Sequence, residues 1–455
     1  MEHRTVKGAK GRKYQVRWTV AGEAHYATFA TKALADGHEA KLRTASKEGE
    51  AFDVTTGLPI SQLTEDRDRE LSWYDFACAY VDMKWDEAAP NSRRAIADAL
   101  ATATQALLTP SSGTPPPDRL RPALYTWSFN APRRAAGPPP DLAPTISWLE
   151  RNTAPLNSLA DPDVLRRVLN QLARKMDGGR AAATVVARKR AVLYNLLGYA
   201  VDKKHFAANP LASLSWKSPK TAEAIDRRRV VNPTQAQALL DAVHDQGPMG
   251  RHLTAFFGVL YHAGLRPSEA VMLTRDEVDL PDQDNAWGWL NLGDSAPSTG
   301  GAWNDSGHRR QPRQLKHRAV AEVRPVPASP ALVRLLREHL AEHGTAPDGR
   351  LFRGEAGGLL SDSVYSRAWD KARHTALTEA EAASPLGERP YDLRHARLST
   401  WLNAGVEPAR VAEWGGNSVP VLLRVYAKCL SGTEQNALRK IREAEPAPQA
   451  EPEHE

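Results

Sequence analysis

Cysteine is almost absent. Cys78 and Cys429 are the only two in 455 residues, and they stand far apart. A disulfide framework or a cysteine-rich zinc module cannot be built from such a pair. Long apolar runs are missing as well: no stretch approaches the roughly 18 residues that a membrane span needs. The N-terminus is charged from Glu2 onward and has no apolar segment behind it. A membrane protein and a secretory leader are therefore not expected, and a cytoplasmic location is. A glycine-rich phosphate loop and a run of metal-ligand residues are also lacking, so no cofactor and no metal are expected.

What the chain does have is length and basic charge. At 455 residues it is too long for one small core and should form several domains. The formal net charge is +6, which favours a polyanionic partner without demanding one. The local balance says more. Residues 1–20 hold six Lys/Arg against the single acid Glu2, and residues 301–324 hold six against Asp305 and Glu322. The tail from Glu443 reverses sign, with five Glu among Pro, Ala and Gln.

Patterning divides the chain into segments. Tyr14–Val20 and His25–Phe29 read as two short strands around the turn Ala21-Gly22-Glu23, followed by a helix over Lys32–Ala45. Residues 1–60 thus make a basic, β-rich module, with Arg12 and Lys13 as candidate phosphate contacts. Residues 70–217 read as a helical domain. Trp73, Phe76, Ala77, Tyr80 and Val81 recur at helical spacing, and further helices are predicted over Leu165–Met176 and Ala181–Val201. The second carries Arg188, Lys189 and Arg190, which are either a solvated face or a phosphate-facing surface. Pro110–Pro144 is rich in Pro, Gly and Ser and is expected to contain long loops. Residues 218–231 read as a linker. Asn232-Pro233-Thr234 then opens a helix, with Asn as cap and Pro in the first turn, and residues 232–443 form a third domain. Residues 444–455 lack the apolar side chains to fold and should be a disordered acidic tail. The fold class is mainly α with small β elements, α+β.

Three segments of the third domain carry chemistry. In Ala263-Gly-Leu-Arg266-Pro-Ser-Glu269, an apolar helix ends at Gly264 and Pro267 opens the next. Arg266 therefore sits at a helix corner beside unpaired N–H groups, a favourable place for a phosphate. In Tyr391-Asp-Leu-Arg394-His395, Arg394 lies in the first turn of a helix reaching Asn403. Asp392 reads as a helix cap, and His395 as a core histidine. Lys316, flanked by Arg313 and Arg318, is expected at the tip of a basic β-hairpin, where it could protonate a leaving oxygen. Its neighbour His317 could supply that proton instead. Tyr426 follows Arg394 by 32 residues (426 − 394) on a short helix predicted over Val421–Leu430. Two guanidinium groups can neutralise a phosphate that a phenol attacks.

The order of these motifs, with Glu413-x-x-Gly416-x-Ser418 between the second arginine and Tyr426, resembles the tyrosine recombinase (phage integrase) family. The similarity is strongest over residues 230–431 and extends to integrases of mobile elements in GC-rich bacteria. The resemblance implies a basic arm-binding module, a helical core-binding domain and a catalytic domain. It assigns Arg266 and Arg394 as the catalytic arginines, Lys316 as the hairpin lysine and Tyr426 as the nucleophile. It departs at two positions: Tyr391 and Asn417 stand where the family usually has histidine, and histidine or tryptophan. Both can donate hydrogen bonds, but neither is an imidazole. The implied activity is site-specific cleavage and rejoining of double-stranded DNA attachment sites through a 3′-phosphotyrosine, integrating or excising a mobile element. A homotetramer on DNA and an accessory directionality factor are the implied partners. Two alternatives stay open: a catalytically weakened DNA-binding protein of the same fold, and a type IB topoisomerase-like enzyme.

Overall fold

The computed structural model describes residues 2–8, 11–62, 71–109, 111, 113–175, 178–220, 224–315, 322–426, 438–439 and 441–442. The chain is mainly helical, with small antiparallel sheets, and divides into two compact units, 1–220 and 221–455.

The first unit begins with an antiparallel meander, β1 (Glu2–Gly8), β2 (Gly11–Val20) and β3 (Glu23–Phe29). Ala21 and Gly22 both take positive φ at the β2–β3 turn, as a tight hairpin requires. The sequence suggested only β2 and β3. Strand β1 has no apolar alternation to announce it and is held by its pairing with β2. Helix α1 (Lys32–Lys47) covers the sheet, and Val16, Trp18, Ala35 and Leu42 form a small core.

The helical part of this unit rests on α2 (Trp73–Trp85), α3 (Pro90–Thr104), α4 (Pro162–Leu172) and α5 (Ala183–Asp202). Ser72 and Asp161 cap α2 and α4 by accepting from backbone amides. Trp73, buried beneath α3, donates its indole N–H to Thr104 Oγ1 at 2.8 Å. The proline-rich stretch differs from expectation. Between irregular stretches at 113–116 and 136–142 it also forms short helical turns at Pro117–Arg121, Pro122–Ser128 and Ala131–Ala135. Proline occupies the opening positions of each turn, where its missing N–H costs nothing.

The second unit starts at α6 (Pro233–His244), where Asn232 and Gln235 form a reciprocal capping box. Helix α7 (Gly247–His262) follows. Then comes a three-stranded antiparallel sheet of β4 (Val278–Asp279), β5 (Gly288–Leu292) and β8 (Arg324–Ala328), in the order β4-β5-β8. A separate pair joins β6 (Asp294–Ser295) to β7 (Arg313–Gln314). Helices α8 (Pro330–His343), α9 (Asp362–Ala376), α10 (Tyr391–Asn403), α11 (Pro408–Gly415) and α12 (Val419–Tyr426) complete the unit. Phe256, Phe257, Leu260, Trp369, Leu393, Leu398, Val411 and Leu422 lie in one continuous core. That core fixes α7, α10, α11 and α12 against one another.

Two expectations are corrected here. Among the described residues, the extended stretches flanking Lys316 do not pair with each other. Arg313–Gln314 pairs with β6, whereas Arg324–Ala328 pairs with β5. Each stretch is instead recruited by a strand upstream of it, into a different sheet. Tyr426 ends the described part of its helix, which starts at Val419, two residues earlier than expected. Among the described residues, no helix is long and apolar enough to cross a membrane.

Candidate active site

Gly264, at φ 65°, turns the chain sharply after α7 and delivers Arg266 to the start of a single helical turn, Pro267–Ala270. Glu269, three residues on, reaches back. Its carboxylate accepts from the Arg266 backbone N–H at 2.8 Å and from Arg266 Nη1 at 2.6 Å. The same carboxylate takes both Nη atoms of Arg324, at 2.9 and 2.7 Å. Arg324 is the first residue of β8, and both of these side chains are 2% exposed. Burial pushes the Glu269 carboxyl up, but the Arg324 and Arg266 charges prevail and hold it down at about 2. Glu269 is therefore an anion clamped between two guanidinium groups.

Arg394 enters from the first turn of α10 and is 1% exposed. Its Nη1 donates to the Gly264 carbonyl and its Nη2 to the Gly415 carbonyl, while Nε is buried without a hydrogen-bond partner. Burial, then the nearby Arg266 charge, lowers its pKa. Arg266 Nη2 donates to the Gly416 carbonyl at 2.8 Å. Both arginines thus converge on the end of α11. Asn417 lies there with its amide oxygen toward them, 3.1 Å from Arg266 Nη2 and 3.4 Å from Arg394 Nη2. Arginine has only donors, so only the oxygen end of the amide fits between them. Gly416 sits at φ 58°, and a Cβ added there would stand 2.2 Å from Arg324 Nη1. Conformation and space both call for glycine.

Tyr426 is 2% exposed at the end of α12. Its Oη lies 2.9 Å from His395 Nδ1. Burial, then the Arg394 and Arg229 charges, pushes the His395 pKa down to about 4, so the imidazole is neutral near pH 7. With its proton on Nε2, its Nδ1 accepts from the phenol. Tyr391, one turn before His395, packs its ring at 4.9 Å from the imidazole and lies under the Arg394 guanidinium at 5.9 Å. A backbone bond from the Ile225 N–H to the Val425 carbonyl, 2.9 Å, ties the start of the unit to the turn that carries the tyrosine.

The structure therefore brings Arg266, Tyr391, Arg394, Asn417 and Tyr426 into one connected cluster. Lys316, His317 and Arg318 lie outside the described residues. Arg313 is half-buried on β7. Asp392 accepts from the Arg389 backbone N–H at 2.9 Å, a capping bond made from inside the helix. The basic triplet of α5 splits. Arg188 is exposed and Arg190 half-buried, but Lys189 points inward and is corrected as a phosphate contact. Its Nζ donates to Thr102 Oγ1 at 2.8 Å and pairs with Asp98 at 3.2 Å. A buried ammonium needs such partners, and Asp98 and Thr102 on α3 provide them. Arg12 and Lys13 lie on β2, Lys13 exposed.

Three residues escaped sequence reasoning in these roles: Glu269, Arg324 and His395. Signals existed for two. Glu269 stands at the third position after Arg266, the spacing of a reciprocal cap. His395 follows Tyr391 by four, so the two share a helix face. Arg324 looked like one more cation in a basic stretch.

Residues 229–430 match the phage integrase family. The tyrosine recombinase XerC of Pelotomaculum thermopropionicum is 25% identical over 286 residues, covering 62% of this chain and 83% of its own. The tyrosine recombinase XerD of Yersinia pestis is 31% identical over 140 residues, covering 31% of this chain and 44% of its own. Among solved structures, the integrase of transposon Tn1549 in complex with a circular intermediate DNA aligns with a TM-score of 0.48 at 14% identity. That alignment covers 69% of this chain and 96% of the integrase. Over residues 229–430 the chain is thus similar to the phage integrase family of tyrosine recombinases. Tyrosine recombinases are enzymes that cleave and rejoin DNA strands.

Proposed function

We propose that the chain is a site-specific recombinase that integrates or excises a mobile element through a covalent 3′-phosphotyrosine. The observation that carries this reading is the phenol of Tyr426, hydrogen-bonded to a neutral imidazole in the cluster that holds Arg266 and Arg394. A phenol with an ordinary pKa near 10 is a weak nucleophile at neutral pH until a base takes its proton. In this reading Tyr426 Oη attacks the scissile phosphorus and passes its proton to His395 Nδ1. The Oη–phosphorus bond forms as the phosphorus–5′-oxygen bond breaks. The leaving 5′-oxygen takes a proton from Lys316, the candidate for that step. Arg266 and Arg394 stabilise the charge that develops on the non-bridging oxygens. Attack by the 5′-hydroxyl of a partner strand reverses the sequence and releases Tyr426. Double-stranded attachment sites are the substrates, and a homotetramer brings two sites together.

The domain reading accompanies this one: residues 1–60 contact arm sites, residues 70–217 bind core DNA and residues 232–443 act on it. Arg12, Lys13, Arg188, Arg190, Arg313 and Arg318 are the proposed phosphate contacts. The test is a nicked suicide substrate, which traps the covalent adduct by losing the short 5′-hydroxyl strand. The native chain should form the adduct and Tyr426→Phe should not, while both bind DNA equally. An adduct surviving in the Phe variant sinks the assignment. Binding without any adduct in the native chain favours the weakened DNA-binding reading.

A further inference from the structure

Away from the arginines, α7 and α8 bring three histidines together. His252 comes from α7, and His339 and His343 stand four residues apart on one face of α8. Their ring centroids are 4.9, 5.1 and 5.0 Å apart, and each ring offers a nitrogen within 4.8 Å of the other two. His252 and His339 are buried, and His343 keeps an edge in solvent.

Hydrogen bonding fixes the state of the central ring. His339 Nε2 lies 3.1 Å from the Leu351 carbonyl. A carbonyl only accepts, so the proton is on Nε2 and Nδ1 carries a lone pair. That Nδ1 is buried and has no hydrogen-bond partner. A buried acceptor left without a donor costs about 1–3 kcal/mol, so the position calls for a ligand. A histidine that donates one N–H to a backbone carbonyl and offers the other nitrogen is the arrangement metal-binding imidazoles adopt.

We propose that His252, His339 and His343 bind a single divalent transition-metal ion of the zinc class. His339 Nδ1 and His343 are the first two ligands. His252 Nε2 accepts from the Arg353 backbone N–H at 3.0 Å, and ligation by that nitrogen exchanges the hydrogen bond for a metal bond. Zinc–nitrogen bonds of about 2.0–2.1 Å require the rings to draw inward by roughly 1 Å, and water can fill the fourth position. The rings are in the right form, because burial lowers all three pKa values, those of His252 and His339 to about 3 and 4. Neutral imidazole is the ligating species. The charged groups facing the cluster are Arg353, Arg251 and Glu342. Two cations against one anion oppose a hard ion held only by charge, such as Mg²⁺ or Ca²⁺. The cluster should therefore select ions with strong imidazole affinity. Its effect would be a brace. Helix α7 leads to the Gly264 turn and Arg266, and α8 follows the strand that begins with Arg324, so one ion ties together the elements behind both arginines.

The test uses the untagged full-length chain, stripped with a chelator and titrated with Zn²⁺ by calorimetry and with Co²⁺ by visible absorption. One equivalent should bind, with the intense Co²⁺ bands of a four-coordinate site and a rise in melting temperature. His343→Gln, at the solvent edge and tolerant of folding, should weaken binding at least about tenfold. His374→Gln, an exposed histidine on α9, should leave it unchanged. Failure of the native chain to take up one equivalent overturns the proposal. So does equal affinity in the native and His343→Gln chains, which would mark adventitious binding. Neither readout involves DNA, so the outcome is independent of the recombinase assignment.

Discussion

Replacing Glu269 by glutamine keeps the shape of the side chain and removes the one negative charge between Arg266 and Arg324. The carboxylate accepts two bonds from Arg324 and one from Arg266 Nη1 in a site 2% exposed. Breaking a buried pair in this way costs about 3–5 kcal/mol, because the cations remain without their counter-charge. The pKa leads to the same scale. A carboxyl lowered from 4.5 to about 2 corresponds to about 3 kcal/mol, at roughly 1.36 kcal/mol per unit. The folded pKa lies below the unfolded one, so this stability is fully present above pH 4.5 and is lost as pH falls toward 2. The expected outcome for Glu269→Gln is a melting temperature lower by about 10 °C at neutral pH, from roughly 2–4 °C per kcal/mol for a domain of this size. The gap between native and variant should narrow on acidification below pH 4.5, where unfolding lets Glu269 take up a proton that the folded carboxylate refuses until about pH 2. Thermal and urea unfolding, followed by tryptophan fluorescence across pH, measure both effects. A melting point within about 2 °C of native, or a gap that stays constant into acid, refutes the buried-anion account.

Further predictions concern the cluster itself. Arg394→Lys should lower both stability and cleavage, because an ammonium cannot reach the Gly264 and Gly415 carbonyls together; the loss in adduct formation should be on the order of 10²–10³. His395→Gln should slow adduct formation by about 10²–10⁴. With its pKa at about 4, the native imidazole should stay competent as a base well below pH 6.5, and a cleavage profile already failing at pH 6.5 would argue against its role. Asn417→Ala should cut cleavage roughly tenfold, the scale of one hydrogen bond to a charged group. Asn417→His should bring no gain, because a protonated ring would face two guanidinium groups; equal cleavage by the Ala variant and the native chain would remove Asn417 from the site.

Much of the frame was legible from local signals. Asn232, Pro233 and Gln235 announce the start of α6, and Gly264 and Gly405 mark chain reversals that their positive φ values require. The meeting of the arginines was not legible as geometry. Arg266 and Arg394 are 128 residues apart (394 − 266), and they meet through the carbonyls of Gly264, Gly415 and Gly416. Backbone oxygens carry no side-chain signature. Lys189 misled for a related reason. Its neighbours Arg188 and Arg190 share its charge, but its direction is set by Asp98, 91 residues earlier (189 − 98). The stretches beside Lys316 looked like mates because they are close in sequence. Each had a better ladder partner upstream. The histidine triangle was illegible on the same terms, since α7 and α8 are joined only by folding.

The bond between the Ile225 N–H and the Val425 carbonyl has a mechanical meaning. Ile225 lies a few residues into the second unit, and Val425 lies beside Tyr426 on α12, 200 residues later (425 − 225). That one bond acts as a clasp, fastening the opening segment of the unit to the helix that carries Tyr426. Proline at position 225 would remove the N–H and open that clasp while leaving the core behind it in place.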